Sequence, residues 1–319
     1  MMIKMYCFRN CVGVAAVVTA AALLFISCSG HDANKRQRDT LSVTDAHRLA
    51  LPDVPREIVA PELRAAYLAR HFWDSLDFTD RSLTCDTAFM EQNFANYLAV
   101  LPAVPADSLQ PLLTRFVEQA STDGPAIDVV AGMAAKYLYD YNSPMRDEDL
   151  YIAFADAFTA CRSIPDIAKT RTRYLLDLSL MNRPGMKAND FRYVLTDGSR
   201  HSLSESRGCE TLVMFFDIDC EVCAGVLADM KADTRLKDQI ASGNLRVLAV
   251  YVSPRHDESG ENESATGSDG RWLRYAAENM PPEWSVGKPL TDIEDLYDLR
   301  VLPVRYLLSP SGTVLQKDL

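Results

Sequence analysis

Two rhythms of apolar and polar positions divide the chain. From Pro61 to about Met181 apolar residues recur every three or four positions, so that Met90, Phe94, Tyr97, Leu98 and Leu101 fall on one face of a helix. ADSLQPLLTRFVEQA, GPAIDVVAGMAAKYLYD, DEDLYIAFADAFTA and DIAKTRTRYLLDLSL keep this period between Pro, Gly or Asn-Ser-Pro breaks. They predict an all-helical domain of about five or six helices over residues 61–181. After Asn182-Arg183-Pro184-Gly185 the period shortens. FRYVL, TLVMFF, LRVLAVYV and PVRYLL are short, apolar and rich in aromatic or β-branched residues, as strands are. VCAGVLADMKADTRLKDQIAS, DGRWLRYAAENM and TDIEDLYDL alternate with them as one long and two shorter helical segments. That alternation predicts an α/β domain over 184–319, a central mixed sheet flanked by helices.

Polar stretches punctuate these domains. Residues 28–60 show no sustained period and read as a tether, and Ser253 to Gly270 is acidic, Ser/Gly-rich and reads as a mobile surface loop. At the start, Lys4 and Arg9 precede VGVAAVVTAAALLF, which is short for a bilayer span and has the form of a secretory leader. The leader ends in Phe25-Ile26-Ser27-Cys28, similar to a bacterial lipobox, in which the cysteine becomes the lipidated first residue of the mature protein. Residues 1–27 are therefore expected to be removed, and Cys28 to anchor an extracytoplasmic protein to a bacterial membrane, in the periplasm or at the outer membrane. The alternative is a single membrane-spanning anchor with an incidental Cys28.

Charge narrows the partners. The chain carries a net charge of −11, and losing Lys4 and Arg9 with the leader takes it to −13. An acidic chain without a basic stripe argues against nucleic acid and against electrostatic adhesion to anionic lipid. Of the eight cysteines, Cys7 and Cys11 leave with the leader and Cys28 takes lipid; Cys85, Cys161, Cys209, Cys220 and Cys223 remain. An odd, sparse set is not a disulfide framework. Cys85 and Cys161, in or beside helices, read as buried inert thiols, and Cys209 as the same. Phe72, Trp73 and Phe78 read as core rather than as a partner-facing group, and Asp147, Glu148 and Asp149 as a helix-starting acidic run.

The chemistry concentrates in Asp217-Ile218-Asp219-Cys220-Glu221-Val222-Cys223, where two cysteines at C-x-x-C spacing follow a strand and open a helix. Unpaired backbone N–H groups and the helix dipole favour an anion at the first sulfur. Cys220 is thus the expected attacking thiolate and Cys223, one turn on, the resolving thiol. The rival readings are a structural pair and zinc. Zinc needs two further ligands at matching spacing, yet His201 and His256 are single. No metal and no cofactor is expected.

Strand, CxxC and helix, followed by a strand opening at Leu302-Pro303, resemble the thioredoxin superfamily. VLPVRYLLSPSGTVLQKD is similar to that family's proline, strand, Gly turn and second hairpin strand. GMKANDFRYVLTDGSRHSL resembles the entry hairpin of TlpA-like members, and the long stretch from Cys223 to Pro303 resembles their insertion. The resemblance implies Cys220 as nucleophile, Cys223 as resolving cysteine, and a cis Pro303 with Leu302 as the platform for substrate backbone. The helical half, with HFWDSLDFTDRSL and KYLYDYNSPMRDEDLY, is similar to a helical domain of unknown function that precedes thioredoxin-like domains in some bacterial lipoproteins. Departures stand out: FDIDC replaces the aromatic approach to the first cysteine, Met214 occupies a position six residues before it that is often polar, and Asp217, Asp219 and Glu221 place negative charge near the sulfur. The sequence stops at Leu319, right after the last hairpin strand, so the family's closing helix is expected to be absent or to be replaced by packing from the helical domain.

The expected function is that of a monomeric, membrane-anchored thiol–disulfide oxidoreductase whose partners are exported protein thiols or disulfides and a redox-partner protein. Two other readings remain open: a non-catalytic binding or assembly lipoprotein with a degenerate thioredoxin-like domain, and thiol-based copper delivery.

Overall fold

Aspartate side chains start four helices of the first half. The computed structural model describes residues 48–205, 208–252 and 265–318, with backbone alone over 265–269. The chain divides into two units, residues 1–172 and 173–319. The expected leader, Cys28, the first part of the tether and the stretch 253–264 with His256 lie outside the described residues. Among the described residues, no helix is long and apolar enough to cross a membrane.

The first unit runs through helices α1 (Pro61–His71), α2 (Arg81–Thr84), α3 (Thr87–Val100), α4 (Ala106–Ala120), α5 (Gly124–Ala134), α6 (Glu148–Ala160) and the start of α7 (Asp166–Leu180). Asp80, Asp86, Asp123 and Asp147 cap α2, α3, α5 and α6 by accepting first-turn N–H groups. Glu148 and Asp149 follow the Asp147 cap in the first turn, where the helix dipole favours negative charge. The core is aromatic. Trp73 stacks on Phe116 with ring centroids 4.9 Å apart, and Phe72, Phe78 and Tyr97 are buried around the pair. The last part of the expected tether is bonded to this unit, since the Leu49 N–H donates to Asn93 Oδ1 at 2.9 Å. Cys161 is buried as expected, but Cys85 is exposed: it sits just beyond the four-residue α2, too short a helix to bury both of its faces.

The second unit is built on a mixed seven-stranded sheet in the order β2-β1-β5-β4-β3-β6-β7. Its strands are β1 (Arg192–Leu195), β2 (Arg200–Ser202), β3 (Glu210–Phe216), β4 (Leu245–Tyr251), β5 (Ser285–Pro289), β6 (Val304–Leu308) and β7 (Val314–Lys317). β3, β4 and β5 are parallel neighbours, and every other pairing is antiparallel. From Thr211 on, every residue of β3 is buried. Successive side chains point to opposite faces, so Leu212, Met214 and Phe216 enter one core while Val213 and Phe215 enter the other. The first core also receives Leu227, Met230 and Leu236 from helices α8 (Glu221–Ala232) and α9 (Thr234–Ala241), and Trp272, Ala276 and Met280 on and just after α10 (Ala265–Asn279). The second core is filled by Phe191, Tyr193, Leu203, Ile293, Tyr297 and Tyr306, all from the same unit.

Three local readings change. The long helix after the cysteines is two helices, because the Asp233 backbone ends α8 while its carboxylate caps α9 through the Arg235 and Leu236 N–H groups. TDIEDLYDL makes a turn closed by Leu296 and Tyr297 N–H groups on the Ile293 carbonyl. The acidic stretch read as a loop to Gly270 is helical from Ala265. The entry segment is pinned as well: Asn182, with φ of 50°, donates from Nδ2 to the Leu296 carbonyl at 2.7 Å and accepts the Asn189 N–H on Oδ1 at 2.7 Å.

Truncating Trp73 to Ala should cost about 3–5 kcal/mol, the usual figure for a large aromatic in a packed core. Asp147→Ala, which deletes one cap, should cost about 1 kcal/mol. Urea unfolding followed by helical circular dichroism checks the ranking; equal losses would show that the aromatic cluster is not what holds the first unit.

Candidate functional site: a cysteine pair at a helix start

The site grows out of the end of β3. Beyond Phe216 the chain leaves the sheet at Asp217, turns, and begins α8 with Cys220 as N-cap in an extended conformation (φ −89°, ψ 113°). A cap residue usually offers oxygen to a first-turn N–H. Here sulfur does so, and the Cys223 N–H donates to Cys220 Sγ at 3.2 Å. The first sulfur therefore occupies the positive end of the helix dipole. Cys220 is partly exposed, whereas Cys223, one turn in, is 0% exposed among Met214, Phe216 and Leu227.

The other wall comes from β6. Its antiparallel register sets Val304 opposite Phe215, which brings the start of β6 beside the end of β3. The Leu302–Pro303 peptide bond is cis, and the Leu302 carbonyl accepts from the Cys220 thiol at 3.8 Å. Cys220, Cys223, Leu302 and Pro303 are thus brought to one place, while Cys28 lies outside the described residues. Cys209 is beside the opposite end of β3, where Arg246 Nε donates to its sulfur at 3.1 Å. His201 belongs to the entry hairpin, between Ser199 and Glu205. Among the described residues no group of three or more His, Cys, Asp or Glu side chains converges as a metal site would.

The three acidic residues around the pair have different fates. Glu221 is exposed. Asp219 pairs with Arg271 of α10 at 2.8 Å, with both side chains well exposed, an ion pair of small energetic weight. Asp217 is only 5% exposed; its Oδ1 accepts the Asp219 N–H at 2.6 Å, and its Oδ2 is buried without a hydrogen-bond partner among the described residues. Burial, then the contact with the Cys220 sulfur, pushes the Cys223 thiol up to about 12. A hydrogen bond from the Asp217 backbone N–H works against this rise, and the Cys220 and Asp217 charges add to it. Tyr275 of α10 packs on the same core, and burial together with the nearby sulfurs raises its phenol. Arg271 and Tyr275 escaped the sequence reading. Their only signal is the i, i+4 spacing that puts them on one face of RWLRYAAENM.

Residues 27–182 match a family described as a domain of unknown function (DUF5106). No curated protein matches the chain. Among solved structures, a thioredoxin-like protein from Bacteroides caccae is 31% identical, with 85% of this chain and 94% of that one covered at a TM-score of 0.70. A conserved protein of unknown function from Bacteroides fragilis is 31% identical over 43% of this chain and 92% of that one, with a TM-score of 0.36. The thioredoxin domain of a thiol-disulfide oxidoreductase from Bacteroides vulgatus is 19% identical over 43% and 89%, with a TM-score of 0.33. The likeness to the Bacteroides caccae protein, at 31% identity over most of both chains, places this chain in the family of thioredoxin-like proteins.

Proposed function

We propose that the protein is a lipid-anchored, extracytoplasmic thiol–disulfide oxidoreductase that acts on protein disulfides through Cys220 and Cys223. The observation that supports this most is the division of labour between the two sulfurs: Cys220 caps the helix start and is accessible, and Cys223 is sealed one turn behind it. The Cys220 thiolate attacks a substrate disulfide, one substrate sulfur leaves with the electron pair, and a mixed disulfide forms. Cys223 then attacks Cys220 Sγ and releases the second substrate sulfur, leaving a Cys220–Cys223 disulfide. The Leu302–Pro303 segment lines the approach to Cys220 and offers backbone to a bound extended peptide.

Cys223→Ser should trap mixed disulfides with substrate proteins, visible as higher-mass bands that a reductant collapses, and Cys220→Ser should trap none. Absence of any trapped species from Cys223→Ser would favour a binding scaffold instead. Cys28→Ala should abolish incorporation of labelled fatty acid and release the protein from the membrane fraction. Label that persists in this variant would exclude Cys28 as the anchor.

A further inference from the structure

Residues 290–303, between β5 and β6, form neither helix nor strand, yet they lead to the Leu302 carbonyl that faces Cys220. An irregular stretch this long can present backbone to a partner only if bonds other than a ladder hold it. Those bonds converge on Leu296 and Tyr297. Asn182 Nδ2 and Asn189 Nδ2 both donate to the Leu296 carbonyl, at 2.7 and 2.8 Å. The two asparagines are also tied to each other, because the Asn189 N–H donates to Asn182 Oδ1 at 2.7 Å. The Tyr297 phenol then donates to the Asn189 carbonyl at 2.5 Å, and its ring is 1% exposed. Burial, with the Asp190 charge nearby, holds that phenol well above its ordinary range, so it stays a donor. Tyr297 carries this polar cage toward the cysteines. Its ring centroid lies 4.7 Å from that of Phe215 and 5.3 Å from that of Tyr306, and Phe215 is opposite Val304, the residue after Pro303. Between Tyr297 and Pro303, Arg300 grips Asp298 with Nε on Oδ1 at 2.9 Å and Nη2 on Oδ2 at 2.8 Å, while Leu299 and Leu302 pack on the second core.

Building on the oxidoreductase reading, we propose that Asn182, Asn189 and Tyr297 are positioning residues for protein substrates, holding the Leu302–Pro303 backbone in the form that receives an extended segment beside Cys220. They act through Leu296 and the chain that follows it, and touch neither the substrate nor the sulfurs. The cage therefore bears on one class of substrate. A protein disulfide has to seat backbone on the Leu302–Pro303 segment before its sulfur meets Cys220, whereas a small disulfide needs only the accessible sulfur. A segment that is receptive for only part of the time lowers the apparent affinity by that fraction and leaves the sulfur chemistry as it was.

The test uses the full chain with insulin as the protein disulfide, dithiothreitol as the final reductant, and 5,5′-dithiobis(2-nitrobenzoate) as the small disulfide. Asn189→Ala removes one donor from the Leu296 carbonyl and keeps both main-chain bonds of residue 189. Tyr297→Phe removes the hydroxyl alone and leaves the ring in the core. Each variant should raise KM for insulin about fivefold, the ordinary worth of one hydrogen bond, and keep kcat within about twofold. The double variant should exceed either single one. Attack on the small disulfide, read as the phase that Cys220→Ser lacks, should stay within about twofold in all of them. Tyr297→Phe decides the matter should Asn189→Ala not fold. An unchanged KM for insulin, or an equal loss toward both disulfides, would overturn the positioning role and leave the oxidoreductase reading standing. If the unmutated chain reduces insulin no faster than Cys220→Ser does, the oxidoreductase reading falls and the positioning role with it.

Discussion

Burial of β3 on both faces governs the second unit. A strand that feeds two cores has no free side, so its direction and register are set by Leu212, Met214 and Phe216 on one face and Val213 and Phe215 on the other. Its end is therefore a fixed point from which α8 departs, and the antiparallel pairing with β6 returns Leu302 and Pro303 to the same point. The accessible sulfur of Cys220 stands where two rigid paths meet. Placement of this kind, on elements rather than on loops, is what an exchange reaction between three sulfurs in line demands.

Local charge is arranged by depth. The exposed acids Asp219 and Glu221 are answered by Arg271 and by water, and they act on Cys220 only weakly through solvent. Asp217 faces the interior, where screening is poor and its effect on Cys223 is stronger. The same residue bonds the Cys223 sulfur through its backbone, so the turn between Phe216 and Cys220 connects the sheet to the buried thiol both mechanically and electrostatically.

How legible this was follows from local physics. TLVMFF announced a doubly buried strand because it lacks the alternation of a half-exposed one, and the C-x-x-C after it needed only spacing to be placed at a helix start. SVGKP, which becomes β5, is short and carries Gly and Pro, so nothing in it marks a strand until β4 and β1 pair with it. Asp233 lay inside an unbroken helical pattern, and only the geometry shows one residue ending α8 and capping α9. Asp217 was read as one of three like charges. Polarity along a chain reports the side chain but not its depth, and that depth is fixed by Phe216 before it and Cys223 six residues later.

Asn182 and Gly185 have a bearing on where the second unit can be divided. The Asn182 side chain bridges the Leu296 carbonyl and the Asn189 N–H, and the Gly185 N–H donates to the Val314 carbonyl at 2.8 Å. The Pro-Gly sequence that looks like a hinge is thus stitched to the turn after β5 and to the last strand. A protease nick between Asn182 and Arg183 would deprive Leu296 of one of its two side-chain donors, the other being Asn189, and would loosen the turn that carries Ile293 and Tyr297 into the second core. A limit drawn from contacts rather than from composition moves upstream into α7, where the division at residue 172 already lies.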